Sequence, residues 1–241
     1  MKVALIAPTL NEIDGIREVF PKLAKLKGNV LDEIIVADLN STDGTIEYSK
    51  DCGFQVHHQQ SPGYGAAFME ALELTDADII IEFPPDGNNM PEKIPDVVAK
   101  IKEGYDFVIA SRYCDGAKSY DDDVITRFGN WMFTTMINVL FGAKYTDVLV
   151  GFRAYRKDSL KKVHLTARGL SWTTQQSIQY VKAGLKVTEI GADEPARIGG
   201  VRKMSPLKTG FEILWVIIRE FLCGKKFANV LPMKNKPNGS K

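Results

Sequence analysis

The sequence predicts an α/β fold: a mostly parallel central sheet flanked by helices, with an amphipathic helix near the C-terminus. Two observations predict it. Apolar runs of strand length alternate with helix-patterned stretches at short intervals, as βαβ units require. Three of the early runs also end abruptly in loops rich in Asp, Asn, Ser and Pro: Pro8 to Glu12, Asp38 to Asp43 and Asp86 to Asn89. In a parallel sheet such loops open on one edge, where ligands bind.

Each element can be justified in turn. Lys2 to Ala7 is a strand, and Asn11 can cap the helix after it, whose apolar residues Ile16, Val19, Phe20 and Leu23 share one face. Pro21 predicts that this helix bends or splits. Glu33 to Ala37 is a second strand, with a loop from Asp38 that enters a helix near Thr42. Gln55 to His58 is a weaker strand, and Gly63-Tyr64-Gly65 leads into a helix through Leu74. The run at Ile79 is too short for a helix and reads as a strand buried on both faces. Pro91 opens a helix to about Glu103, and Phe107 to Ala110 is the next strand.

The second half is less regular. Val124 to Phe141 reads as a long helix, Asp147 to Tyr155 holds a strand around Gly151-Phe152-Arg153, Trp172 to Ala183 is a helix and Lys186 to Ile190 a strand. A loop rich in Arg, Lys and Gly spans Glu194 to Ser205, and Leu207 to Cys223 is the last helix. Its apolar run Ile213 to Ile218 suits docking on the body of the protein, or contact with a membrane surface helped by lysines in a tail without acidic residues. No linker separates the halves. The expected organisation is one domain over residues 1–224 and a basic tail over 225–241.

Composition narrows the class. The 241 residues are 44% hydrophobic and 25% charged, enough for an ordinary core. A formal net charge of +1 gives no reason to expect a nucleic acid partner. Three scattered cysteines form neither a metal spacing nor a disulfide framework, which fits a reducing cytoplasm. No apolar stretch is long enough to cross a bilayer. The expected location is cytoplasmic, with peripheral contact on the inner membrane face as an extension.

Asp86, just past a central strand and followed by Gly87, suits a divalent cation carrying phosphates, because magnesium usually takes one or two carboxylates plus phosphate oxygens. A plain Asp-Gly turn is the competing reading. Asp38 and Asn40 could bond a base or ribose. His57-His58 read as ordinary strand surface, since adjacent residues point to opposite faces. Asp121-Asp122-Asp123 read as a solvated loop, and Trp131, Phe133 and Met136 as core.

Six motifs occur in order. Pro8-Thr9-Leu10-Asn11-Glu12 resembles P-x-Y-N-E, and Val36 to Thr45 resembles V-V-D-D-G-S-T-D-G-T. Pro84 to Glu92 lies on D-A-D-L-x-x-x-P-E, and Ser111-Arg112-Tyr113 on S-R-Y. Asp147 to Arg153 is similar to D-x-x-x-G-F-R, and Arg197 to Lys203 to R-x-x-G-x-S-K. Together they resemble the motifs of family 2 glycosyltransferases of the GT-A fold, particularly the dolichol- and polyprenyl-phosphate sugar synthases.

The resemblance implies an inverting transfer from a nucleoside-diphosphate sugar, a GDP- or UDP-sugar, to a polyprenyl or dolichyl phosphate or a glycan hydroxyl. Pro8, Leu10, Glu12, Asp38, Asn40 and Gly65 would bind the nucleotide, and Asp86 would hold Mg²⁺ or Mn²⁺ on the diphosphate. Arg197 and Lys203 would close over the phosphates. Arg112, Arg127 and Gln175 would face the acceptor. A hydroxyl acceptor needs a general base, for which Asp147 is the candidate; a phosphate acceptor needs none. The sequence departs from the pattern at Leu39 and Pro84, each in place of an aspartate, at Thr9-Leu10, which lacks the usual tyrosine, and at Gln175, near where the family often carries a glutamate. These departures motivate the competing expectation of a catalytically silent nucleotide-sugar-binding protein.

Overall fold

A computed structural model describes residues 1–198 and 205–224. Lys203 and the basic tail over 225–241 lie outside the described residues.

Seven strands form one sheet: β1 (Val3–Thr9), β2 (Glu33–Asp38), β3 (Gln55–His58), β4 (Ile79–Glu82), β5 (Phe107–Ser111), β6 (Arg153–Arg156) and β7 (Val187–Gly191). Their order is β3-β2-β1-β4-β6-β5-β7. All neighbours are parallel except β6, which runs antiparallel to both β4 and β5. The strand expected around Gly151 therefore begins two residues later, at Arg153, and is the element that departs from the parallel pattern. β4 and β5 are buried along their whole length, as strands covered on both faces must be.

The helices are α1 (Ile13–Leu26), α2 (Thr45–Asp51), α3 (Tyr64–Ala71), α4 (Ile94–Lys102), α5 (Val124–Phe141), α6 (Trp172–Lys182) and α7 (Pro206–Leu222). α1 passes through Pro21 as one helix, so the expected split does not occur. α2 starts three residues later than expected, after Gly44 at φ 97°, a left-handed turn that glycine adopts at little cost. α5 has the expected bounds: the Asp123 carboxylate accepts the Thr126 N–H at 2.7 Å and Gly142 ends it in a left-handed cap.

Strand order decides where the site lies. The chain moves outward from β1 to β2 to β3, then returns past β1 to β4. Right-handed crossovers put the returning helix on the opposite face, and a crevice opens at the sheet edge where the direction reverses. That crevice lies between the loops after β1 and β4. α3 packs on β1 and β2, α4 on β5, β6 and β7, and α6 against α3, α5 and α7.

α7 docks on α5 and α6 rather than on the sheet. Ile213, Val216 and Ile217 are buried, and Glu220 accepts from Gln175 Nε2 at 2.9 Å, Gln179 Nε2 at 2.6 Å and Lys182 Nζ at 2.9 Å. Its outer face is apolar and exposed: Leu207, Phe211, Trp215 and Leu222 follow each other at helical spacing. Trp131 on α5 is also exposed, contrary to the core expectation, whereas Phe133 is buried and Met136 packs against the core. No helix among the described residues is long and apolar enough to cross a membrane.

Candidate active site

The loops after β1 and β2 are stitched together by the polar residues that the sequence singles out. Asp38 is fully buried and accepts from Thr9 Oγ1 and Ser41 Oγ, both at 2.6 Å, and from the Ser41 N–H at 2.7 Å. Its carboxylate braces the β1 loop through these bonds. Asn11 does not cap α1. Its Oδ1 accepts the Thr42 N–H at 2.8 Å, while the cap of Ile13 comes from the Asp43 carboxylate at 3.0 Å. Side chains that a linear reading assigns to their own helix thus serve the neighbouring loop.

These loops form one wall of a hollow of about 420 Å³ at the sheet edge, within the usual range for small-molecule sites. Of the expected residues, Pro8, Leu10, Glu12, Asp86, Arg112 and Arg197 line it. Asn40 is exposed and Gly65 is packed against Trp172 and the Ala167 carbonyl; neither is on the wall. Leu39 and Gln59 line it instead, one residue beyond the paired ends of β2 and β3. Nothing in the linear pattern marks Gln59; only the register of β3 puts it there.

Asp86 sits beyond β4 on a turn that two glycines permit. Gly15 of α1 lets the turn approach closely, since a Cβ there would lie 2.9 Å from the Asp86 Cα. Gly87 takes φ +86° and lies under Ile198. The Arg197 guanidinium lies 2.9 Å from Asp86 Oδ2 and 4.0 Å from Asp121. Asp86 Oδ1 is buried without a hydrogen-bond partner. Burial raises the pKa of this carboxyl and Glu12 adds to the rise, while Arg197 opposes it. A buried carboxylate oxygen left unpartnered suits a hard divalent cation that takes its remaining ligands from phosphate and water. No cluster of three or more His, Cys, Asp or Glu ligands occurs among the described residues, so Asp86 would be the principal protein ligand.

Arg112 is held by three carboxylates. Its Nε lies 2.6 Å from Asp147 Oδ2, and its Nη1 lies 3.2 Å from both Asp122 Oδ2 and Glu194 Oε2. The Asp121 to Asp123 run is therefore no solvated loop: Asp122 pairs with Arg112 and Tyr113, Asp121 faces Arg197, and Asp123 caps α5. Glu194 also binds Ser119, which zips the 119–122 segment to the strand-like start of the Arg197 loop.

Three other expectations do not match the geometry. Asp147 is fully buried off the hollow, and Leu149 and Val150 donate their N–H groups to it, both at 3.2 Å. Burial opposes its charge, but Arg112 and these bonds hold its pKa below the ordinary value. A carboxylate so occupied does not suit the general base expected of it. Gln175 is fully buried, accepts the Thr166 and Ala167 N–H groups and donates to Glu220, so it anchors α7 rather than facing an acceptor. Arg127 is exposed and lines a separate hollow of about 510 Å³ with Lys118, Asn130 and Trp131, apart from Arg112. His57 pairs with Glu70 at 2.9 Å, which makes it more than bare strand surface.

Known proteins share this architecture. Glucosyl-3-phosphoglycerate synthase from Mycobacterium tuberculosis, in a complex with UDP, superposes with a TM-score of 0.73 over 91% of this chain and 80% of that one, at 20% identity. Its complex with Mn²⁺, UDP and phosphoglyceric acid gives 0.74 over 91% and 78%, also at 20% identity. The fold is that of the GT-A glycosyltransferases. In sequence, the chain is 27% identical to the undecaprenyl-phosphate mannosyltransferase of Micrococcus luteus, over 85% of this chain and 88% of the relative. It is 28% identical to a dolichyl-phosphate hexose transferase of Haloferax volcanii, over 88% and 90%. Residues 4–164, more than half of the sequence, match the model of glycosyl transferase family 2, and the chain belongs to that family.

Proposed function

We propose that this chain transfers a sugar from a nucleoside-diphosphate sugar to the phosphate of a polyprenyl lipid, with inversion at the anomeric carbon. The observation that carries the reading is the mixed lining of the hollow. It combines Asp86 and Arg197 with apolar residues, among them Leu149, Val150, Leu170 and Ile213, the last a residue of α7. A diphosphate suits the charged pair and a lipid the apolar residues.

An oxygen of the acceptor phosphate attacks the anomeric carbon, and the bond from that carbon to the donor diphosphate breaks, its electron pair leaving with the nucleoside diphosphate. The anionic nucleophile needs no base, which agrees with the sequestered state of Asp147. Arg197 neutralises charge growing on the diphosphate, and Lys203 is proposed to join it. Asp86 would hold Mg²⁺ or Mn²⁺, which when bound supplies Lewis-acid stabilisation of the leaving group. Pro8, Leu10 and Glu12 are the wall residues proposed for the nucleotide, with Asp38 as their brace. The names of the relatives, two of them lipid-phosphate sugar transferases, support this reading over a silent binding protein.

We further propose that the apolar outer face of α7 meets the membrane that carries the acceptor, within a transferase domain of residues 1–224 assisted by the basic tail. Incubating the chain and Mn²⁺ with labelled GDP-mannose or UDP-glucose and undecaprenyl phosphate in detergent tests the transfer. Label should move into the organic phase, and should not when the lipid is omitted. Water-soluble glycan as the sole productive acceptor would overturn the reading.

A further inference from the structure

We infer that Gln59 reads the nucleobase of the donor and selects a base whose ring carries an N–H, uracil or guanine. This rests on the nucleotide-sugar reading above and names the base class within it. Register provides the first support. Thr9, Asp38 and His58 are aligned across β1, β2 and β3, so Leu10, Leu39 and Gln59 form a row one residue beyond three neighbouring strand ends. The Gln59 N–H donates to the Asp38 carbonyl at 2.8 Å, fixing it there. β3 lies three strand steps from β4, about 14 Å at the usual spacing. The Asp86 turn follows β4, so a diphosphate held there has its base directed along the row toward Gln59.

The side chain supplies the second support. Gln59 is 5% exposed, and its Nε2 donates to the carbonyls of Ser61 and, at 2.8 Å, Gly63. A carbonyl can only accept, so two of them fix the amide nitrogen on that side and spend both of its hydrogens. With both Nε2 hydrogens committed, the Oε1 of this wall residue is the acceptor left to a ligand in the hollow, in a row with Leu10 and Leu39. N3 of uracil and N1 of guanine carry a hydrogen that such an acceptor takes. N3 of cytosine and N1 of adenine are acceptors themselves and would set lone pair against lone pair. A site built to bond an N–H rejects a ligand lacking it because the acceptor that the ligand covers is then cut off from water without a partner. Discrimination on the order of ten- to hundredfold follows.

The test titrates the full chain, with Mn²⁺ present, against UDP, GDP, CDP and ADP. UDP or GDP should bind at least about tenfold more tightly than CDP and ADP. Gln59→Leu should flatten that ranking and leave inorganic pyrophosphate binding unchanged. A ligand-side measurement covers the case in which the variant does not fold: the diphosphates of 3-methyluridine and 1-methylguanosine, which carry a methyl in place of the hydrogen, should lose the same factor on the wild-type protein. Full affinity for the methylated nucleotides, or an unchanged ranking in Gln59→Leu, overturns the role of Gln59 alone. Failure of every nucleotide to bind wild type, with pyrophosphate still bound, overturns the nucleotide-sugar reading with it.

Discussion

The guanidinium of Arg197 lies 2.9 Å from a carboxylate oxygen of Asp86. The cation proposed for the donor diphosphate thus rests on the carboxylate proposed for the metal. Both groups are largely shielded, with side chains 22% and 14% exposed, so their attraction is screened less than that of a surface pair. A metal ion at Asp86, as proposed, would compete with Arg197 for one anion until a diphosphate arrives to occupy them both.

Arg197→Gln should therefore act in opposite directions on two measurements. Loss of a preorganised cation at the leaving group slows transfer by on the order of 10²- to 10³-fold. Mn²⁺ binding without nucleotide should tighten, because Asp86 loses its internal partner. Asp86→Ala should abolish both metal binding and transfer. Calorimetric titration with Mn²⁺ alone and initial rates with donor separate the two effects, and weaker metal binding by Arg197→Gln would refute the competition.

Glu82, the last residue of β4, gives a pH signature. It is fully buried; its Oε1 accepts from Trp172 Nε1 at 2.9 Å and Gln176 Nε2 at 3.0 Å, and its Oε2 has no partner. Burial raises its pKa from 4.5 to about 7, only partly offset by the Trp172 bond and the charge of Arg153. The folded value lies above the unfolded one, so the native state keeps a proton that the unfolded chain releases, and stability falls as pH rises from about 4.5 to 7. The span of the shift corresponds to a ceiling of about 3 kcal/mol. Glu82→Gln stays neutral, so urea unfolding should show it close to wild type at pH 5 and more stable at pH 8. An advantage that does not grow with pH would show that the buried carboxyl is not the source.

The sheet was legible because buried strands impose composition: Ile79 to Ile81 and Phe107 to Ala110 can be little else, and Asp123 and Gly142 announce the ends of α5. The edge carrying the site was legible too, since it follows from strand alternation. Which polar side chain on that edge faces the hollow was not. Asp38, Asn11 and Gln175 have the same chemistry as ligand-binding groups, and only three-dimensional packing spends them on backbone N–H groups. Gln59 was missed for the converse reason: a lone glutamine after a weak strand carries no signal until Ser61 and Gly63 fix its amide.

The outer face of α7 should control attachment to membranes. Phe211 and Trp215 are 72% and 65% exposed and make no contribution to the buried face. Charged replacements, Phe211→Glu with Trp215→Glu, should leave unfolding stability within about 0.5 kcal/mol for each site. Flotation with anionic liposomes should drop sharply, since each large apolar side chain contributes about 1.5–3 kcal/mol when buried in an apolar phase. Undiminished flotation of the double variant would assign attachment elsewhere, and deletion of residues 225–241 then tests the basic tail.

The two arginines first grouped as acceptor contacts should behave unlike each other. Arg112 is the cation shared by Asp147, Asp122 and Glu194 in a largely buried cluster, where its own side chain is 9% exposed. Arg112→Ala leaves those carboxylates facing one another, and removal of one member of a buried ion pair costs about 3–5 kcal/mol. The same change removes the link that Arg112 makes between Asp122 and Glu194 and leaves their charges opposed, which loosens the support of the Arg197 loop, so transfer should fall even where the protein stays folded. Arg127→Ala removes an exposed side chain and should alter stability by no more than about 0.5 kcal/mol. If Arg127 contacts the acceptor from its separate hollow, the KM for lipid phosphate rises in that variant while the donor KM holds. Measured together, urea unfolding and the two KM values distinguish a buried keystone from a surface contact, and equal unfolding stabilities for both variants would contradict the structural role of Arg112.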